Sequence, residues 1–181
     1  MKQSLRHPAL RGLVLEKEIS VVPGKSEVQV KVKVANSADQ ERQVSYWAHA
    51  VPLLRPPILQ AGEPLRVSEG LEFEVPQRGG VLRVRSDLSD VVFAAPGAPY
   101  SDPQNESWER QTRVGEFEGD WAAIVRRDKM VALRGDFDPK EVLQVYSWRD
   151  GTATLEWMYR PVTIAPQGSW ETTYRLVYGS P

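Results

Sequence analysis

From Glu27 to Val34 the chain reads Glu-Val-Gln-Val-Lys-Val-Lys-Val, a valine alternating with a polar or charged residue at every step. Successive side chains of an extended strand point to opposite sides, so period two puts all four valines on one face and the charges on the other. A helix of this sequence would spread the valines around its whole circumference. The segment is therefore read as a strand with one buried and one wet face, as antiparallel sheets have. Leu71-Glu72-Phe73-Glu74-Val75 repeats the pattern, and Val81 to Arg85 sets Leu82 and Val84 against Arg83 and Arg85. Thr172 to Tyr178 places Tyr174, Leu176 and Tyr178 together. The core is predicted to include Val28, Val30, Val32, Val34, Leu155, Trp157, Tyr174 and Leu176.

Turn signals punctuate these runs: Pro23-Gly24, Asn36-Ser37, Gly79-Gly80, Asp138-Pro139, Asp150-Gly151 and Gln167-Gly168. Short strands at such spacing predict an all-β antiparallel sandwich with little or no helix. Asp150-Gly151 suits the type I′ turn of a hairpin between Val142–Arg149 and Thr152–Tyr159. A helical turn is expected at Asp138-Pro139-Lys140-Glu141, with Asp138 as cap and Pro139 at the first helical position. Pro52 to Pro64 and Pro96 to Glu106 are the irregular stretches, and residues 1–181 are read as a single domain.

The chain has 181 residues, a net charge of −1, no cysteine and two histidines, His7 and His49. Without cysteine there are no disulfides, thiol nucleophiles, zinc–thiolate sites or iron–sulfur clusters. Two histidines do not make a multi-histidine metal centre, and no cofactor is implied. Asp136-Phe137-Asp138 has alternate acids but lacks the rest of a calcium loop, and is read as a surface turn. Basic and acidic residues are interleaved, so no nucleic-acid partner is expected. No apolar run reaches membrane-spanning length and Met1 to Arg11 lacks a leader-like core, so the expected location is cytoplasmic. Phosphate loops, serine elbows and His-Glu-x-x-His motifs are missing.

Three features could carry chemistry. In Gln43 to His49, alternation puts Ser45, Trp47 and His49 on one face and Val44, Tyr46 and Ala48 on the other. A histidine beside a tryptophan can meet a ligand hydroxyl or act as an acid near neutral pH, although a structurally bonded or exposed histidine is the commoner case. In Thr152 to Tyr159, Ala153, Leu155, Trp157 and Tyr159 face the core, while Thr152, Thr154 and Glu156 face outward, where a lone glutamate is usually solvated. Six tryptophans (Trp47, Trp108, Trp121, Trp148, Trp157 and Trp170) could stack on the C–H face of a pyranose, but most of them are expected in the core.

Two segments together resemble a known family. The first is Leu15 to Ile19, Val28 to Val34, the turn Ala35-Asn36-Ser37-Ala38-Asp39, and Tyr46-Trp47-Ala48-His49. The second is Thr154-Leu155-Glu156 followed by Ile164-Ala165-Pro166-Gln167-Gly168-Ser169-Trp170-Glu171. They resemble the opening and closing patterns of galactose-mutarotase-like β-supersandwich proteins, with Gln167 interrupting the usual Pro-Gly pair. The resemblance implies the supersandwich fold, either in reduced form or as a C-terminal portion, since the chain is shorter than a complete member. It also implies a sugar-holding role for His49 and the catalytic base's position for Glu156. The family's catalytic acid is a second histidine further along, and no histidine follows His49 here. The reading is thus a carbohydrate-binding sandwich with no demonstrated catalysis, with His49, Trp47, Glu156 and Trp148 at the site and Glu156 as the candidate base. Its alternatives are a sugar-active enzyme, epimerase-like or glycoside-hydrolase-like with two carboxylates, and a structural or protein-interaction sandwich. Oligomeric state is left open.

Overall fold

The valine face of Glu27–Asn36 is buried against a second layer of strands. The computed structural model describes residues 2–4, 10–50, 71–85, 91–98, 112–147 and 153–180. Its strands are β1 (Lys2–Ser4), β2 (Leu13–Val21), β3 (Glu27–Asn36), β4 (Arg42–Val44), β5 (Trp47–Ala50), β6 (Leu71–Gln77), β7 (Gly80–Arg85) and β8 (Val91–Ala94). They continue with β9 (Thr112–Glu116), β10 (Trp121–Arg126), β11 (Val131–Asp136), β12 (Val142–Ser147), β13 (Leu155–Tyr159), β14 (Val162–Ile164) and β15 (Ser169–Gly179). An eight-stranded sheet has the order β1-β2-β3-β15-β11-β10-β6-β7, a five-stranded sheet the order β5-β13-β12-β8-β9, and β4 and β14 form a small pair.

Each sheet turns one face to the other. Phe73 of β6 stacks on Phe93 of β8 with centroids 5.8 Å apart, and Trp157 of β13 meets Tyr174 of β15 edge-on at 5.0 Å. Val30, Val32, Leu155, Trp157 and Tyr174 are buried in this core, and Val28 and Leu176 pack half-buried against it. Val34 is buried in a smaller cluster with Leu13 and Ile164. Tyr178 shares the face of Leu176 but is exposed, near the end of β15.

Two expectations change. The turn at 138–141 is not helical: Asp138 accepts from the Lys140 N–H and its carbonyl accepts from the Glu141 N–H, closing a single turn. A 3-10 turn forms instead at Arg127–Lys129, between β10 and β11, with Met130 in the left-handed region. The second change is that the β8–β9 pair is parallel, while every other pair is antiparallel. A parallel neighbour needs a connection of a dozen or more residues, and seventeen, 95–111, separate β8 from β9 in the sequence. β12 and β13 pair antiparallel, as the hairpin reading requires, although Asp150-Gly151 itself lies outside the described residues. So do most of the irregular stretches 52–64 and 96–106.

The Asn36 turn is a junction. Its buried side chain donates from Nδ2 to the carbonyls of Gln40 and Ile164, and its Oδ1 accepts from the Ala38 N–H. Beside it, the Ala165–Gly168 turn places Gln167 at φ 60°, where glycine is the usual residue. Gln167 in turn donates through Nε2 to the Ser37 carbonyl at 3.2 Å. The departure from Pro-Gly thus coincides with a bond between the two turns.

Candidate functional site

Backbone register brings the two sequence-predicted polar residues together. In the β5–β13 pair His49 lies opposite Glu156, and Trp47 lies opposite Met158. In the β12–β13 pair Tyr146 lies opposite Glu156, and Gln144 lies opposite Met158. Residues directly opposite share a face. One row across the smaller sheet is therefore His49, Glu156, Tyr146 and Val92, and the next is Trp47, Met158, Gln144 and Ala94. Alternation then assigns Ala48, Trp157, Val145 and Phe93 to the other side, where all four are buried in the core.

The His49 Nε2 atom lies 3.3 Å from Glu156 Oε1. The two side chains differ sharply in accessibility, with 54% of the imidazole exposed against 5% of the carboxylate. Trp47 is 39% exposed, and its ring lies 5.5 Å from that of Tyr146. The Tyr146 hydroxyl donates to Gln144 Oε1. An approaching ligand would meet Trp47 and His49 first, with Glu156, Tyr146 and Gln144 behind them.

Glu156 corrects the sequence reading. It does occupy the face opposite Trp157, but that face is itself buried, as are Thr154, Gln144 and Tyr146. Alternation shows which residues share a face and does not show how deeply that face lies. A carboxylate removed from water is costly unless it is paired or hydrogen-bonded. His49 is such a partner.

Tyr146 and Gln144 were missed in the sequence. The available signal was their alternation with Val145 in Val142–Ser147, which puts both on the side of the glutamate. Trp148 lies outside the described residues. Of the other tryptophans, Trp157 is core and Trp170 is half-buried among Tyr46 and Tyr159. Trp121 lies on the far face of the larger sheet under the Arg134 guanidinium.

Glu116, a described carboxylate of the same sheet, stands too far from Glu156 to form a hydrolytic pair with it. Glu116 of β9 lies opposite Ala94, in the row next to that of Glu156. Three strand intervals separate β9 from β13, about 14 Å at the usual spacing of ~4.8 Å. Glycosidase carboxylates lie roughly 5 to 9.5 Å apart. Among the described residues, no group of three or more histidine or acidic side chains could hold a metal ion, and no helix is long and apolar enough to cross a membrane.

Solved structures with this fold are known. A galactose mutarotase-like protein from Lactobacillus casei superposes with a TM-score of 0.57 over 98% of this chain and 68% of its own length, at 12% identity. The fold is the galactose-mutarotase-like β-sandwich. A candidate aldose 1-epimerase from Klebsiella pneumoniae matches at TM-score 0.56 and 16% identity over 99% of this chain. The α-galactosidase AgaA from Geobacillus stearothermophilus, solved with raffinose, matches at TM-score 0.56 and 13% identity over 95% of this chain and 23% of its own. The chain spans about half to two-thirds of the length of the first of these mutarotase-like and epimerase-like structures, 49% of the Klebsiella protein and 64% of a similar one from Escherichia coli. No protein-family model matches the sequence, and no curated protein does.

Proposed function

We propose that this chain is a carbohydrate-binding member of the galactose-mutarotase-like fold, with its site on the second face of the smaller sheet and without mutarotase activity. The observation that supports it most is the register pairing of His49 with Glu156 beside the Trp47–Tyr146 aromatic wall. An aromatic ring offers a surface to the C–H face of a pyranose, while the exposed imidazole offers a hydrogen bond to a hydroxyl. The names of the structurally similar proteins, mutarotase-like, epimerase and α-galactosidase, point to the same ligand class. The absence of any histidine after His49 removes the family's proton donor, which is why binding without turnover is the reading.

Calorimetry and glycan-array screening test it. A monosaccharide or short glycan should bind with a dissociation constant of roughly millimolar order, because a few hydrogen bonds and one stacked ring leave little net gain over water. His49→Ala and Trp47→Ala should abolish binding with the melting temperature preserved. Polarimetry on glucose and galactose should show no acceleration. If no glycan binds, the sugar reading is lost. An interaction domain then becomes the better account, drawing on the exposed Ile19, Val21 and Tyr178 of the larger sheet.

A further inference from the structure

From the geometry we infer that Glu156 does not meet the ligand but positions His49, and that the imidazole, through Nδ1, is the atom group that recognises a ligand hydroxyl as a donor. This rests on the sugar-site reading above. It reverses the division of labour that the sequence resemblance implied, in which the glutamate is the working group.

The first observation is depth. The carboxylate is nearly enclosed and the imidazole is half in solvent, on adjacent strands, so the histidine stands between the glutamate and an incoming molecule. The second is chemistry. An ionised carboxylate only accepts hydrogen bonds, so an oxygen 3.3 Å from Nε2 favours the imidazole form that carries its proton on that nitrogen. The neutral ring then has a lone pair on Nδ1, which can only accept. A site built this way discriminates in favour of a ligand hydroxyl that donates and against an ether at the same place. The same logic holds a metal-bound or catalytic histidine in one tautomer through a carboxylate behind it.

Among the described residues, the groups on the face of His49 are Glu156 and Met158 of β13, Thr154 just before it, and Tyr146 and Gln144 of β12. On its own strand His49 is preceded along the face by Trp47. Among these described residues the only carboxylate is Glu156, and the only other titratable group is the Tyr146 phenol, whose hydroxyl is committed to Gln144.

Two experiments separate the inference from the reading beneath it. The first needs no ligand. With only two histidines in the chain, the ring nitrogens of His49 can be assigned by NMR with His7→Gln as reference. With the ring in its neutral form, the parent should show the Nε2–H tautomer almost alone. Glu156→Gln should shift the population toward a mixture, because an amide can donate or accept and enforces neither. Identical nitrogen shifts in parent and variant would overturn the positioning role, whatever binds.

The second is a double-mutant cycle on whichever glycan the screen yields. If Glu156 acts through His49, Glu156→Gln should weaken binding about tenfold in the parent and leave binding unchanged in a His49→Gln background. Replacing the contacted hydroxyl by its O-methyl ether should cost the parent a similar factor and cost His49→Gln nothing. Equal losses from Glu156→Gln in both backgrounds would show a direct ligand contact and refute the inference while leaving the sugar site intact. Failure of every glycan to bind would refute the sugar site, and the tautomer experiment would still decide the pairing.

Discussion

Trp157 illustrates how one side chain can dictate the identity of another on a different strand. Its indole is fully buried between Phe137, at 5.5 Å, and Tyr174, and a Cβ placed on Gly135 would lie 2.6 Å from ring atom Cζ3. β11 therefore carries a glycine in mid-strand because the tryptophan takes the space a side chain would use. Trp157→Ala should cost about 3–5 kcal/mol, the usual range for emptying a large aromatic site. Gly135→Ala should cost about 1–3 kcal/mol by overpacking, and less than that in a Trp157→Phe background, where the far edge of the indole is gone. Urea unfolding of Trp157→Ala, Gly135→Ala, Trp157→Phe and the Trp157→Phe/Gly135→Ala double variant checks this. Equal costs of Gly135→Ala in both backgrounds would mean the strain lies elsewhere.

At the level of strands, β2 and β3 show alternation giving the right face and the wrong depth. Val30 and Val32 lie under the smaller sheet, whereas Ile19 and Val21, opposite Val30 and Val28 on the same face, are 63% and 67% exposed. β2 stands one strand further toward the edge, with β1 pairing only as far as Glu16. Ile19→Thr and Val21→Thr should leave the melting temperature within about 2 °C of the parent, as surface changes do. Val30→Ala should lower it by several degrees, since a buried methyl pair is lost. Thermal unfolding followed by circular dichroism distinguishes the two. On the opposite face of the same strands, Glu171 pairs with Lys31 at 2.9 Å and Lys33 at 3.1 Å. The hydrogen bond from Lys31 holds the Glu171 carboxyl below its ordinary range, so this small contribution is lost as pH falls through that lowered value.

Where the two layers meet at one end of the sandwich, the molecule gathers an aromatic cluster whose parts come from distant stretches of chain. Tyr46, Tyr159 and Trp170 lie within 5.4 to 6.1 Å of one another. Burial pushes the phenols of Tyr46 and Tyr159 upward, and it pushes Tyr174 upward most, helped by the neighbouring Tyr46. A phenol whose folded value is raised stays protonated in the fold after the unfolded chain has begun to lose its proton. Its stabilisation is complete below the ordinary tyrosine value of about 10 and is lost as pH rises through the higher folded value. Unfolding by alkali is therefore expected to begin above about pH 10, with tyrosinate absorbance appearing cooperatively alongside loss of the β spectrum. Gradual tyrosine ionisation in a protein that stays folded would contradict it.

Local alternation was enough to read the fold class, the core valines of β3, the inward set Leu155, Trp157 and Tyr159, and the shared face of Trp47 and His49. These follow from a period of two acting within a few residues, and the hydrophobic effect then decides which side turns inward. The family resemblance identified His49 and Glu156 from short patterns at opposite ends of the chain. What local pattern could not supply was partnership across the sheet. That His49 faces Glu156, that Tyr146 and Gln144 complete the row, and that Glu156 is buried all depend on β5, β13 and β12 becoming neighbours in one register. The His49–Glu156 pair joins residues about a hundred positions apart, and even the nearby Tyr146–Glu156 pair depends on a register that no short-range periodicity fixes, as does the depth at which the shared face lies.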